Sequence, residues 1–142
     1  MQSVTVANDL SSQRTILLVE DEPFVREATC SILEHAGFSV LPAADALDAI
    51  KLYEQCGRPI DLVMTDMVLP GRTGQQLGED LRQRSPLVNV LVTSGYVVAE
   101  CDTEDPATRT YFLAKPYSRR GLVEKIEKIL NPHVPRPAVQ AS

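Results

Sequence analysis

With 142 residues the chain is the size of one domain, long enough to bury about two thirds of its unfolded surface in a single core. Its 19 acidic residues outnumber 14 Lys and Arg, and the formal charge of -5 gives no electrostatic footprint for nucleic acid, which would want Lys and Arg clustered on one face. Three widely spaced cysteines (Cys30, Cys56, Cys101) without a CxxC, and only two histidines (His35, His133), argue for reduced thiols and against zinc. No apolar stretch approaches the roughly 18 residues of a membrane span and no apolar signal core opens the chain, so a cytoplasmic protein is expected.

In chain order, residues 1–13 are small and polar and read as a flexible tail. A strand is expected near 15–19, then a helix near 23–36 started by Pro23, with Val25, Ala28, Ile32 and Ala36 as its inner face. A second strand near 38–41 precedes a helix near 44–55 that presents Ala46, Ala49, Ile50 and Tyr53. Gly37 and Gly57 follow these two helices where left-handed caps are wanted. A third strand near 60–65 and a helix near 73–84 come next, then a fourth strand near 88–93. Gly95 and Pro106 leave room only for a short helix near 96–103 before the fifth strand near 110–114. A last helix near 118–130 carries Leu122, Val123, Ile126, Ile129 and Leu130, and residues 131–142, with three prolines, form a second tail. The domain is thus expected over 14–130.

Strands alternating with helices predict a doubly wound parallel α/β sheet, whose ligands gather at the carboxyl edge of the strands. Four strands deliver polar residues to that edge: Glu20-Asp21, Asp66, Thr93-Ser94 and Lys115-Pro116. Three convergent carboxylates would repel one another unless a cation joined them, and hard oxygen donors suit Mg²⁺. A carboxylate beside such a metal can act as a nucleophile, Lys115 can pair with a phosphoryl group, and Ser94 or Thr93 can donate a hydroxyl, which completes a set for phosphoryl transfer. Each residue has a plainer use. Glu20-Asp21 before a helix can be cap and dipole partner, Asp66 can cap or form an Asx-turn, Lys115 can be solvated and Ser94 a turn residue. Their convergence favours the functional use.

The motifs Ile16-Leu-Leu-Val-Glu-Asp-Glu22, Asp61-Leu-Val-Met-Thr-Asp-Met-Val-Leu-Pro-Gly71, Val90-Leu-Val-Thr-Ser-Gly-Tyr96 and Phe112-Leu-Ala-Lys-Pro116 resemble those of two-component response regulator receiver domains. The resemblance implies a flavodoxin-like (βα)5 fold with strand order 2-1-3-4-5. It implies that Asp66 is the phosphoacceptor and that Asp21, Asp66 and the Val68 carbonyl bind Mg²⁺ directly, with Glu20 acting through water. Lys115 would contact the phosphoryl group, Ser94 would be the switch hydroxyl and Phe112 the switch aromatic, remodelling the surface around the fourth helix and fifth strand. The phosphodonor would be a histidine kinase or histidine phosphotransfer protein, and the signal would pass by contact with a downstream protein, homodimerisation being open. Receivers of this kind perform only self-catalysed phosphotransfer and autodephosphorylation. Gly95 follows the switch hydroxyl where many members have Ala, and the weak helix signal over 96–110 suggests a face that orders upon phosphorylation or partner binding. With no output domain after residue 130, a stand-alone receiver, a phosphorelay shuttle or the receiver portion of a hybrid kinase are the expected settings.

Three other readings compete. A pseudo-receiver docking module would keep the fold without phosphorylation. A haloacid-dehalogenase-like phosphatase needs a second Asp two residues after the first, where this chain has Val68. A flavodoxin-like cofactor module needs a phosphate-cradling loop after the first strand, where Glu20-Asp21-Glu22 stands instead.

Overall fold

The computed structural model describes residues 13–57, 59–95 and 105–131. In chain order the elements are β1 (Thr15–Val19), α1 (Pro23–His35), β2 (Ser39–Ala43), α2 (Ala46–Gln55), β3 (Leu62–Asp66), β4 (Val68–Leu69), β5 (Arg72–Thr73), α3 (Gly74–Arg84), β6 (Asn89–Ser94), a 3-10 turn (Pro106–Thr108), β7 (Thr110–Ala114) and α4 (Arg119–Leu130). Five strands form one parallel sheet in the order β2-β1-β3-β6-β7, which is 2-1-3-4-5 counted along the sheet's own strands. This is the expected doubly wound α/β architecture.

Alternate residues of each strand feed opposite faces, which explains why the central strands are apolar throughout. On one face Leu17, Val19, Val63, Val90 and Val92 pack with Ala46 and Ala49 of α2 and Leu77 and Leu81 of α3. On the other, Ile16, Leu18, Leu62, Met64 and Leu91 pack with Leu33 of α1 and Leu122, Ile126, Ile129 and Leu130 of α4.

The inner face of α1 differs from the expected one. Val25, Ala28 and Ala36 are exposed, and the buried positions are Thr29 and Leu33, with Cys30 and Ile32 packed beside them. Thr29 and Leu33 are one helical turn apart, so the helix is rotated by about one residue, or about 100°, from the expected stripe. A buried threonine hides that stripe from a count of apolar residues.

The helix ends also split. Gly37 has φ +100, its N–H donates to Glu34 and that of Phe38 to Leu33, a Schellman cap in which Phe38 and Leu33 share one core cluster. The second expected glycine cap is not formed: α2 ends at Cys56 in extended backbone, and Gly57 is not left-handed. The short helix expected near 96–103 lies outside the described residues.

One element went unpredicted. Between Asp66 and α3 the chain makes a small antiparallel hairpin, Val68 opposite Thr73 and Leu69 opposite Arg72, turning at Pro70-Gly71. Pro presets the first turn position and Gly71, at φ +77, takes the left-handed second one, the arrangement of a type II turn. Two-residue strands are too short to show alternation in sequence.

Candidate functional site

Parallel register brings the carboxyl ends of the strands to one edge: Val19 is level with Thr65, Asp66 with Thr93, and Ser94 with Ala114. The residue after each end then enters a shared pocket. Carboxylate oxygens of Glu20, Asp21 and Asp66 all lie within 4.8 Å of one another. Lys115 Nζ stands 3.4 Å from Asp66 Oδ1 and 3.7 Å from Glu20 Oε1.

Glu20 is buried, with only 5% of its surface exposed, while Asp21 is exposed and Asp66 half-buried. The Glu20 backbone is fixed on both sides, its N–H donating to Ala43 O at 3.0 Å and its carbonyl accepting from Arg26 Nη1 at 2.8 Å. Its carboxylate accepts from the Glu22 N–H at 3.2 Å. Part of the plain use therefore holds, since Glu20 does take a backbone amide at the start of α1, where Glu22 gives no side-chain cap. Burial pushes the Glu20 carboxyl above its ordinary value of 4.5, and the nearby Asp66 and Asp21 charges add to this; the Glu22 amide and Lys115 oppose it.

Asp66 does not cap the following helix. Its Oδ1 accepts from the Met67 N–H at 3.0 Å, while α3 is capped by Thr73 in a reciprocal box with Gln76. Val68, in β4, is 58% exposed. Ser94 is buried at the end of β6, and its carbonyl accepts from the Lys115 N–H at 2.8 Å, tying the hydroxyl-bearing and lysine-bearing strand ends together. The Lys115-Pro116 peptide is cis. Phe112 is half-buried, level with Val92 and packed on the α2/α3 face of the core.

Two participants escaped the sequence reading: Arg26, through the Glu20 carbonyl, and Gly74, whose α-carbon closely approaches the Asp66 carbonyl. Of these only Gly74 had a legible signal, as the first helical residue after a capping Thr73.

Comparison with known proteins agrees with this geometry. The sequence model of the response regulator receiver domain matches residues 16–127. The chain belongs to the response regulator receiver domain family. It is 34% identical over 130 residues to the sensor kinase CckA of Brucella abortus, covering 91% of this chain but only 14% of that kinase. It is 29% identical over 118 residues to the response regulator receiver protein CpdR of the same organism, covering 82% of this chain and 97% of CpdR. Among solved structures, the receiver domain of the hybrid histidine kinase CckA superposes with a TM-score of 0.70 at 33% identity, covering 82% of this chain and 98% of that one. The chain is thus a receiver domain of the two-component type, a non-enzymatic signalling class. Among the described residues no helix is long and apolar enough to cross a membrane.

The pocket fits a hard divalent cation. It offers three carboxylates within one coordination sphere's reach, all oxygen donors, one of them buried against like charge.

Proposed function

We propose that the chain accepts a phosphoryl group on Asp66 from a histidine kinase or histidine phosphotransfer protein, with Mg²⁺, and signals by protein contact. The observation that carries this reading is the placement of Lys115 Nζ at 3.4 Å from Asp66 Oδ1 inside a three-carboxylate pocket. A carboxylate surrounded by two others and one ammonium is a nucleophile whose product charge has a waiting partner.

In the forward step an Asp66 carboxylate oxygen attacks phosphorus, the O–P bond forms as the donor's N–P bond breaks, and the departing imidazole takes up a proton. Glu20, Asp21, Asp66 and the Val68 carbonyl would hold Mg²⁺, which supplies charge neutralisation for the phosphoryl oxygens. Lys115 pairs with the new phosphoryl group, leaving its present contact with the bare carboxylate. Buried Ser94, bonded through its carbonyl to the Lys115 N–H, sits where that movement is felt, and Phe112, three residues before Lys115 on β7, carries it to the α2/α3 side of the domain. Water attack on the acyl phosphate then resets the site.

Domain limits of 14–130 with flanking tails, a cytoplasmic setting and self-catalysed turnover belong to the same reading. Borohydride delivers hydride to the acyl carbon of the Asp66 phosphate, phosphate leaves, and a second hydride reduces the resulting aldehyde to the alcohol of homoserine, so reduction of the phosphorylated protein followed by peptide mass mapping tests the site. Homoserine at residue 66 is expected; a modified residue elsewhere contradicts the assignment.

A further inference from the structure

We propose that Gly74 is a positioning residue for Asp66, an inference that rests on the phosphoacceptor reading above. A Cβ at residue 74 would stand 2.3 Å from the Asp66 backbone oxygen and 3.0 Å from Thr65 Cγ2. Ordinary Cβ contacts begin at 3.4 Å, so either the helix start or the end of β3 would have to yield by about 1 Å. The bare α-carbon of Gly74 is what lets α3 begin directly against the residue that carries the nucleophile.

Both sides of this contact are held: Asp66 O accepts from Thr65 Oγ1 at 3.0 Å, and the Met67 N–H donates to Thr93 O at 2.8 Å where β3 ends beside β6. The Gly74 N–H donates to Met67 O at 2.7 Å, closing the hairpin that contains Val68. Thr73 and Gln76 form the reciprocal cap, and Leu77 and Leu81 are completely buried one and two turns further on. Asp66 is a strand's last residue with a half-buried side chain, and its Oδ1 is tied to the Met67 N–H, inside the same closed loop. A methyl group at residue 74 therefore bears directly on the Asp66 peptide, whose carbonyl is the atom it meets. The carboxylate moves relative to Glu20, Asp21 and Lys115, which sit on other strand ends and do not follow.

Gly78 is the matched comparison. It lies one turn along the same helix, also buried, and its Cβ would meet the Val90 side chain, with Cγ1 nearest at 3.2 Å, a methyl that can give by a few tenths of an ångström. Both substitutions add one methyl to the inner face of α3, and only one of them faces Asp66.

The experiment measures Gly74→Ala and Gly78→Ala against the native chain in three ways: rate of phosphoryl adduct formation with acetyl phosphate at saturating Mg²⁺, Mg²⁺ affinity by titration calorimetry, and cooperative thermal melting. A misplacement of about 1 Å in a reacting group costs on the order of 100-fold in rate. Gly74→Ala is expected to melt cooperatively, to lose adduct rate by about 10- to 100-fold and to bind Mg²⁺ several-fold more weakly, while Gly78→Ala stays within about twofold on both readouts. Native-like rate and Mg²⁺ affinity in Gly74→Ala, or equal losses in both variants, would overturn the proposal. If Gly74→Ala does not fold, the double variant Thr65→Ser/Gly74→Ala removes the methyl met at 3.0 Å but leaves the Asp66 oxygen in place; its rate should stay low, and recovery would likewise overturn the proposal. A native chain that takes no phosphoryl group would instead remove the phosphoacceptor reading itself.

Discussion

The ammonium of Lys115 stands 3.4 Å from the carboxylate of Asp66, two half-buried groups delivered by strands β7 and β3 that are separated in the sheet by β6. A lysine reaching across an intervening strand end is placed there by the backbone, through the bond from its N–H to Ser94 O. Its charge therefore answers to the state of Asp66, and the first prediction concerns that link.

Lys115→Ala should still take up a phosphoryl group on Asp66, because nucleophile and carboxylate cluster are intact, but should lose the coupling to Phe112. Hydrogen exchange across 110–114, compared before and after phosphorylation, checks it. The native chain is expected to change there and the variant to stay still; an equal response in both would contradict the role given to Lys115.

Glu20 makes stability depend on pH. Its folded pKa is raised above the ordinary 4.5, so between these two values the folded state binds more protons than the unfolded one, and stability falls as pH rises through that window. Above it the full cost of the buried charge is present. Glu20→Gln in EDTA should therefore melt at a higher temperature than the native chain at pH 7, and the difference should shrink as pH drops below 4.5. A variant less stable than the native chain at pH 7 without metal would show that its contacts to Lys115 and the Glu22 amide outweigh burial.

The rotated face of α1 can be tested with two truncations. Leu33 is fully buried and Val25 is 38% exposed. Leu33→Ala should cost about 2–5 kcal/mol of unfolding free energy, whereas Val25→Ala should change it by no more than about 0.5 kcal/mol. Denaturant titration of both variants reads this directly, and the reverse ranking would restore the face expected from sequence.

Arg109 is the one described non-glycine residue at positive φ, +57, and its carbonyl accepts from the Val90 N–H at 2.9 Å as β6 and β7 begin to pair. Arg109→Gly fits this backbone and should alter stability by less than about 1 kcal/mol. A β-branched residue does not fit, and Arg109→Val should cost about 1–3 kcal/mol. Equal melting of the two variants would contradict the left-handed conformation.

Much of this was legible because parallel strands buried on both faces read as unbroken apolar runs. Ile16 to Val19 and Leu62 to Met64 could hardly be anything else, and the residues after them had to meet at one edge. Glu20, Asp21, Asp66 and Lys115 were found for that reason. What escaped was set by space and not by polarity. Thr29 took an inner position of α1 because a threonine on a helix facing a sheet can bury its methyl, so the apolar stripe pointed elsewhere. The hairpin at 68–73 was too short to carry a period, although Pro70-Gly71 marked its turn. Gly57 resembled Gly37 in sequence, but α2 ends in extended backbone at Cys56 and needs no left-handed residue. Gly74 drew no attention because a missing side chain matters only once its neighbour, the Asp66 carbonyl, is known.

The most direct test of the central claim is the intact mass of the native chain and of Asp66→Asn after incubation with acetyl phosphate, each with Mg²⁺ and with EDTA. The account predicts a single phosphoryl adduct on the native chain with Mg²⁺, none with EDTA, and none on Asp66→Asn in either condition while its melting remains cooperative. An adduct that persists on a folded Asp66→Asn, or that forms equally well in EDTA, would contradict it.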